Sequence, residues 1–480
     1  MSVKPFTYYL LTSQYEDFAD RVAGLCLEKF DQLPGKGKPM SGKEWTLLSG
    51  VVQVIDDLGP PKVVSLATGT KCIGAGKLCD KGTVINDSHA EVLARRALLR
   101  YFIQEIESAH KGRPSIFVHA EAALEDDDCS SENRLATGCP MKLRPGVSFH
   151  FFSSHTPCGD ASIFPKDGGK RLAMDDNGIE PDAKRRKTND DDNANDIHRT
   201  GAKCLSVETR QDPRLPGAAY HAVGAVRTKP GRGDRTLSVS CSDKLLRWCS
   251  SGIQGALLSL FVEPVYLSSL TIGGGCPYSE SALRRAVIER ANYSDDEDAR
   301  SPSIPPLRLA RSALEFEYAK HRVAIDCKPC PSSVVWWEDD FGDGVVGGTN
   351  VSGGRHEVLV NGRKQGATKK AVDGKATGSS ALCKKSLIDA CRHLLANDRD
   401  ITYAQIKLQA TSYRDRWTAV RRRLGFWTVK PEGLSDFTNV FLTRWSLVGL
   451  TDGNFSQFCL LLVLTSVNTN FKIININYVY

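Results

Sequence analysis

Asn86-Asp87-Ser88-His89-Ala90-Glu91 opens a run in which Ala90, Leu93, Ala94, Ala97, Leu98 and Tyr101 recur at helical spacing. The spacing predicts a helix from residue 88 to about 107, capped by Asp87 or Ser88. An imidazole and a carboxylate then stand two residues apart at the mouth of a helix. Two readings compete. His89 is a metal ligand and Glu91 a proton shuttle, or Ser88-x-x-Glu91 is a capping box that only satisfies helix-end amides and His89 is a surface residue. The hexapeptide alone favours the second reading. The rest of the chain decides, by whether it supplies thiolates.

Upstream, residues 1–58 read as helical. Residues 15–30 alternate acidic and apolar residues at helical spacing, and 45–55 are apolar and β-branched. Residues 62–72 read as a strand running into a glycine turn. Downstream, 115–119 is a short strand and 125–133 an acidic loop. The aromatic run 147–154 is a buried strand that leads into His155-Thr156-Pro157-Cys158-Gly159-Asp160. Residues 166–200 hold almost no large apolar side chains and read as a disordered insertion. Within them, Lys184-Arg185-Arg186-Lys187 is a nuclear import address or a solvated loop. Order resumes near 220. A basic loop, 227–235, precedes a strand at 236–240 and a helix from Cys241 to about 261. Further on, 264–272 is a strand and 279–291 a helix, 292–306 and 339–354 are breaks, and 358–365 is a strand and turn. Helices at 380–395 and 402–424 precede a tail of changed composition beyond about 440.

The chain has 480 residues, enough for one large or two ordinary domains. A hydrophobic fraction of 41% and a charged fraction of 25% belong to a soluble globular protein. The net charge of +7 suits a polyanionic partner but is far from a histone-like tail. Fifteen cysteines lie scattered without a regular framework, which points to a reducing compartment where most thiols fill the core and a few are ligands. Met1-Ser2-Val3-Lys4-Pro5 lacks an apolar signal run. The apolar stretch 458–463 is far short of the roughly 20 residues a bilayer needs. The expectation is a nuclear or cytoplasmic protein with no membrane partner.

His89, Cys158 and Cys241 share one pattern: a strand, a ligand-type residue, a helix start. The positive end of a helix favours thiolate over thiol. Two thiolates and a neutral imidazole give Zn²⁺ three ligands and leave a fourth position free for water, as catalytic sites do. Glu91 then moves the protons, in the H-x-E arrangement of zinc base deaminases. Taken singly, each cysteine is more often a buried apolar thiol. The short-spaced Pro-Cys-x-x-Cys pattern is absent, since no second cysteine stands near Cys158, so the third ligand comes from a distant segment. A structural zinc site would need a fourth protein ligand, and the sequence offers no convincing one.

Thr68-Gly69-Thr70-Lys71-Cys72, Asn86-Asp87-x-His89-Ala90-Glu91-x-x-x-Arg95-Arg96, Pro157-Cys158-Gly159-Asp160-Ala161 and Ser240-Cys241-Ser242-Asp243-Lys244-x-x-Arg247-Trp248 together resemble the adenosine deaminases acting on RNA and tRNA, over roughly residues 45 to 437. The resemblance implies an α/β (α+β) fold: a cytidine-deaminase-like three-layer core with a mixed sheet, a zinc site at helix N-termini and added C-terminal helices. It implies one deaminase domain over 1–440, with disordered insertions near 166–200, 292–306 and 339–354, and an atypical tail at 441–480. The implied activity is conversion of adenosine to inosine. Two features resemble the tRNA branch: little room before Thr68 for a duplex-RNA-binding domain, and a 227–235 loop that runs straight into the Cys241 segment. A tRNA anticodon loop already presents an unpaired base, which lowers the cost of flipping. Val360-Asn361-Gly362-x-x-Gln365-Gly366 is also similar to that branch. The implied substrate is the adenosine at position 37 of alanine tRNA and the implied partner the anticodon loop, with a monomer and no protein partner expected.

The family also implies a buried inositol hexakisphosphate. The matching positions are Arg95, Arg96, Lys244, Arg247, Lys384, Lys407 and Lys430, lined further by Trp248, Tyr403 and Trp427. Lys244 and Arg247 share one face of an otherwise apolar helix, and buried cations need a counter-charge. The plainer reading, solvated surface charge, is the better one for Lys384 and Lys407 taken alone. A family lysine position falls on Trp417. Thr70 and Lys71 match positions beside the substrate nucleotide. The 227–235 loop tracks phosphates or is a tight structural turn. Rival functions are editing of other RNA, action on cytidine, and a catalytically inactive RNA-binding module. The presence of His89, Glu91, Cys158 and Cys241 together argues against the last.

Overall fold

The computed structural model describes residues 17–56, 59–119, 140–166, 196–205, 211–231, 233–291, 305–339, 349–350, 353–367, 378–395, 401–438, 460–463 and 473–476. The expected loop at 125–133, the basic cluster at 184–187, most of the three insertions and nearly all of the tail lie outside the described residues.

Helix α1 (Phe18–Gln32) starts where the Asp17 side chain accepts from the Ala19 N–H, and it buries Val22, Ala23, Cys26 and Phe30. The stretch at 45–55 is not helical. Leu48–Ile55 forms strand β1, buried along nearly its whole length. Its β-branched residues suit a central strand covered on both faces. Strand β2 (Lys62–Thr68) turns at Gly69, whose φ is +149°. A side chain there would strike the Ser88 carbonyl and Ser333 Oγ. The chain then pairs as β3 (Thr70–Cys72) with β4 (Asp87–His89), placing Thr70 opposite His89. Helix α2 (Ala90–His110) follows.

Strand β5 (Val147–Ser153) and the strand pair of Phe164–Pro165 with Ile197–His198 follow, so order resumes at 196 rather than near 220. The expected strand at 236–240 is reduced to one bridge between Thr228 and Val239. Helix α3 (Cys241–Ser251) stops at Gly252, φ +95°, and only one further turn, Gly255–Leu258, continues the expected span. Strand β6 (Ser269–Ile272), helix α4 (Glu280–Arg284) with a π-helical extension Arg285–Glu289, and strands β7 (Arg308–Arg311), β8 (Ser332–Glu338) and β9 (Gly354–Val360) come next. Helix α5 spans Lys384–Cys391. The helix expected over 402–424 is two: α6 (Tyr403–Leu408) and α7 (Thr411–Leu424).

The central sheet runs β7-β6-β5-β1-β2-β8-β9, with Thr349–Asn350 and Arg363–Lys364 both paired to β9. Strands β5, β6 and β7 are parallel and the rest antiparallel, which makes the expected mixed sheet. Alternation along β5 sends Phe149 and Phe151 into the core built on α2 and α3, and Phe152 into the core built on α1. Helices therefore cover both faces of the sheet. On the α2 side, Phe102 meets Phe117 and Phe149 edge-on, with ring centroids 5.6 and 5.2 Å away. A third cluster packs Tyr413, Trp417, Val420 and Leu424 of α7 against Leu246 of α3. Among the described residues no helix is long and apolar enough to cross a membrane.

Candidate metal centre and the basic cavity beside it

The three sequence-predicted ligands meet. His89 is the N-cap residue of α2, Cys241 is the first residue of α3, and Cys158 lies at the end of the segment that leaves β5. Their donor atoms all lie within 4.8 Å of one another. Cys241 Sγ is 3.6 Å from His89 Nδ1, and the Cys241 N–H donates to Cys158 Sγ at 3.3 Å. A tetrahedral zinc site keeps its donors about 3.5–4 Å apart, so the set is close to what one ion needs. Cys158 does not open an α-helix as expected. Only a 3₁₀ turn, Asp160–Ser162, follows it. Its place is held instead by Ser242, whose N–H and Oγ both donate to the Cys158 carbonyl, at 3.0 and 2.9 Å.

The protonation pattern of these donors suits a cation at their centre. A hydrogen bond from Cys241, then the charges of Lys229 and His89, hold the Cys158 thiol well below its ordinary value, while burial pushes Cys241 up. Burial and Lys229 oppose a charge on His89. The Cys72 charge and hydrogen bonds with Cys158 and Cys72 outweigh them and raise it to about 10. Without a metal the Cys158 thiolate therefore faces a protonated His89, and binding a cation displaces protons from His89 and Cys241.

Glu91 stands in the first turn of α2, 1% exposed, and its Oε2 has no partner among the described residues. The capping box is not formed. Ser88 sits in β4, and α2 has no side-chain cap at its start. Asp87 serves another purpose. Its carboxylate is 5% exposed and takes Lys229 Nζ at 2.8 and 3.0 Å, Lys244 Nζ, the His89 N–H at 3.0 Å and Cys72 Sγ at 3.1 Å. Burial opposes its ionisation, but Lys229 and Lys244 hold it well below the ordinary carboxylate range. Cys72, Asp87 and His89 also have donors within 4.8 Å of one another. The two lysines already neutralise Asp87, which makes that set the poorer cation site. Thr70, across from His89, leaves its Oγ1 buried and unpartnered, while Lys71 pairs opposite Ser88.

Beside this centre lies a cavity of about 400 Å³, within the size range of about 300–1,000 Å³ common to ligand sites. All seven cations expected from the sequence line it: Arg95, Arg96, Lys244, Arg247, Lys384, Lys407 and Lys430, with Trp248, Tyr403 and Trp427 among them. The solvated-surface reading of Lys384 and Lys407 is thereby set aside. Among the described residues the only carboxylate ion-paired with any of the seven is Asp87, through Lys244. Carbonyls and phenols serve the others: Arg95 Nε to Ile253 O at 2.8 Å, Arg96 Nε to Leu382 O at 2.6 Å, Lys384 Nζ to Leu434 O at 3.2 Å and Arg247 Nε to Tyr413 Oη at 3.0 Å. Trp417 faces Arg247 at 4.4 Å, a cation–π contact where the family pattern has a lysine. Burial, then the nearby charges of Arg96 and Arg247, lower Arg95 to about 10. Burial, then Lys384, Lys244, Lys407 and Arg96, lower Lys430 to about 7.

The 227–235 loop is largely structural. Arg227 is fully buried and grips Asp212 with Nη1 at 2.8 Å and Nη2 at 2.5 Å, and Lys229 is buried on Asp87. Of the loop's described cations only Arg235 faces outward.

The adenosine-deaminase (editase) domain model matches residues 65–431. The chain belongs to the adenosine-deaminase (editase) family. It is 33% identical to the mouse tRNA-specific adenosine deaminase 1 over 531 aligned positions, covering 87% of this chain and 99% of that protein. The Drosophila melanogaster tRNA-specific adenosine deaminase 1 is 34% identical, with 87% and 96% covered. The double-stranded RNA-specific editase Adar of the same fly is 31% identical over 53% of this chain and 33% of its own length.

Within this editase domain, sequence reasoning missed Asp87 as a buried hub and Lys229 as its partner. Both were visible only as a cap and a loop cation, and no local pattern pairs residues 142 positions apart. Replacing Asp87 with Asn leaves Lys229 buried without a counter-charge, for which we expect a loss of about 3–5 kcal/mol of stability near neutral pH, read from urea midpoints. Because the folded pKa of Asp87 lies below its unfolded value, the wild-type advantage is present above about pH 4 and fades as pH falls below it. Equal midpoints at neutral pH would deny Asp87 this role.

Proposed function

We propose that this editase is a zinc-dependent hydrolytic deaminase that converts adenosine to inosine in tRNA, at position 37 beside the anticodon of alanine tRNA. The observation that carries the reading is the meeting of His89, Cys158 and Cys241 around one point, with the unpartnered carboxylate of Glu91 buried in the same helix turn as the imidazole. Support for tRNA over duplex RNA comes from coverage. The tRNA-specific relatives are matched over 96–99% of their length, the double-stranded editase over 33%. The position within alanine tRNA rests on the resemblance to that branch.

Zinc at this site supplies a Lewis acid that makes a water nucleophilic near neutral pH. His89, Cys158 and Cys241 would hold it, two as thiolates and one as a neutral imidazole. Glu91 takes the proton released by the attacking water, delivers it to N1 of the purine as C6 is attacked, and then serves the departing ammonia. Thr70 and Lys71, on the strand paired with β4, flank the place where the nucleotide enters.

The cavity then holds inositol hexakisphosphate. Seven buried or crowded cations with one carboxylate among them are a poor core for a protein and a good cradle for a polyphosphate. Lys244 joins the two sites, since it lines the cavity and binds Asp87.

Glu91→Gln should keep the metal and the fold yet lower inosine formation in a tRNA transcript by several orders of magnitude. Turnover near the wild-type rate would remove Glu91 from proton transfer. Protein freed of the polyphosphate should gain melting temperature when it is added back, and the gain should depend on pH. Lys430, at about 7 in the folded anion-free chain against 10.5 ordinarily, makes that chain less stable as pH falls from about 10 to 7. The gain from the anion is therefore largest near pH 7 and shrinks toward pH 10. A gain that is absent, or level across this window, would contradict the cavity assignment.

A further inference from the structure

Each cysteine of the metal centre is followed, at the same interval, by an aspartate: Cys158-Gly159-Asp160 and Cys241-Ser242-Asp243. Both aspartates are fully buried. Each is met by an arginine, and both arginines come from the helix that begins as α4. Arg285 Nε donates to Asp160 Oδ2 at 2.9 Å, and its Nη2 donates to the carbonyls of Asp160 and Ile163, each at 2.9 Å. Arg290 Nη1 lies 2.9 Å from Asp243 Oδ1, and its Nη2 is anchored on the Ala286 carbonyl at 2.7 Å.

Five residues separate the two arginines. On an α-helix that spacing would turn them about 140° apart. Here the chain runs as a π-helix over Arg285–Glu289, closed by the Arg290 N–H on the Arg285 carbonyl at 3.3 Å. A π turn hydrogen-bonds residue i+5 to residue i, which brings the two closer to one side of the helix than an α turn would, and such turns gather at functional sites. The other oxygens of the two carboxylates both reach the 224–227 segment, and Asp243 Oδ2 also accepts from Ser240 Oγ at 2.6 Å. The Gly224 N–H donates to Asp160 Oδ1 at 2.6 Å and the Arg227 N–H to Asp243 Oδ2 at 3.0 Å.

The plainer reading is that these pairs only neutralise buried charges. It does not account for the repeated interval from the sulfurs, nor for one distorted helix reaching both segments. The two sulfur-bearing segments come from sites 83 residues apart, and the Cys241 N–H to Cys158 Sγ contact joins them at the sulfur itself. Ser242 also ties them directly, its N–H and Oγ donating to the Cys158 carbonyl and its Oγ accepting from the Ala161 N–H. These contacts lie on the side of the carbonyls, which leaves the two buried aspartates as the handles by which a third element can fix the spacing of the sulfurs. We propose that Arg285 and Arg290 are positioning residues: a two-armed brace, set by the π turn, that fixes the distance between Cys158 and Cys241 so that both sulfurs close on one metal ion. This rests on the zinc reading above.

The test uses full-length, zinc-loaded protein and follows zinc release to a chromophoric chelator, together with the thiolate-to-cobalt bands of the cobalt-substituted form. Arg285→Gln and Arg290→Gln should each release zinc about ten- to a hundredfold faster and shift the cobalt bands. Arg284→Gln, an exposed neighbour paired with Glu280, should do neither. Glutamine variants that fold, release zinc at the wild-type rate and keep the wild-type bands would overturn the brace while leaving the zinc site standing. Wild-type protein that binds neither zinc nor cobalt would instead sink the zinc reading, and the brace with it. If the glutamine variants do not fold, Arg285→Lys decides. An ammonium cannot span Asp160 Oδ2 and the Ile163 carbonyl as the guanidinium does, so release should still quicken; a wild-type rate overturns the proposal.

Discussion

A carboxylate taken almost entirely out of water carries a desolvation penalty of several kcal/mol, and Asp87 offsets it by drawing Lys229 and Lys244 onto its two oxygens. That one group sets the relative placement of three chain segments. It accepts the N–H of the candidate ligand His89 at the mouth of α2, holds the 227–231 stretch through Lys229, and holds α3, which begins with the candidate ligand Cys241, through Lys244. It also lines the basic cavity. The metal centre and the cavity are therefore not two sites that happen to be neighbours. They share a buried ion triad, two of whose members, Asp87 and Lys244, line the cavity.

The same electrostatic logic underlies the proposed occupant of the cavity. Arg95, Arg96 and Lys384 are turned toward carbonyl oxygens, which accept hydrogen bonds but carry no net charge. Lys430 is driven to about 7 by burial and its cationic neighbours. An anion with many phosphates relieves every one of these groups at once, which a single carboxylate could not do. On this proposal the editase core would be completed by something the chain does not encode.

Much of this was legible in the residue order, and for definable reasons. The helix after His89 showed itself because its apolar face keeps strict helical spacing. Strand β5 did so because four of its seven residues, Val147, Phe149, Phe151 and Phe152, are β-branched or phenylalanine. The three ligands and Glu91 stood out by residue type beside a strand end or helix start. What stayed hidden depends on contacts distant in sequence. Residues 45–55 are apolar on both sides and carry no period that separates a buried strand from a helix. Only the sheet position of β1, between β2 and β5, decides it. Asp87 looked like a cap because its lysines are more than 140 residues away. For Arg227 and Lys229 the choice between phosphate contact and structural turn stayed open because a Gly/Pro-rich basic loop gives no sign that Asp212 and Asp87 wait for them. The π turn at 285–289 has no pattern of its own in the sequence.

The central claim is that three protein donors and one helix-borne carboxylate work on a single zinc ion in a core completed by a polyphosphate. Native mass spectrometry of the purified full-length chain tests it most directly. The account predicts one dominant species, heavier than the bare chain by one zinc and one inositol hexakisphosphate. A preparation that forms inosine in tRNA yet shows only the bare chain mass would contradict it.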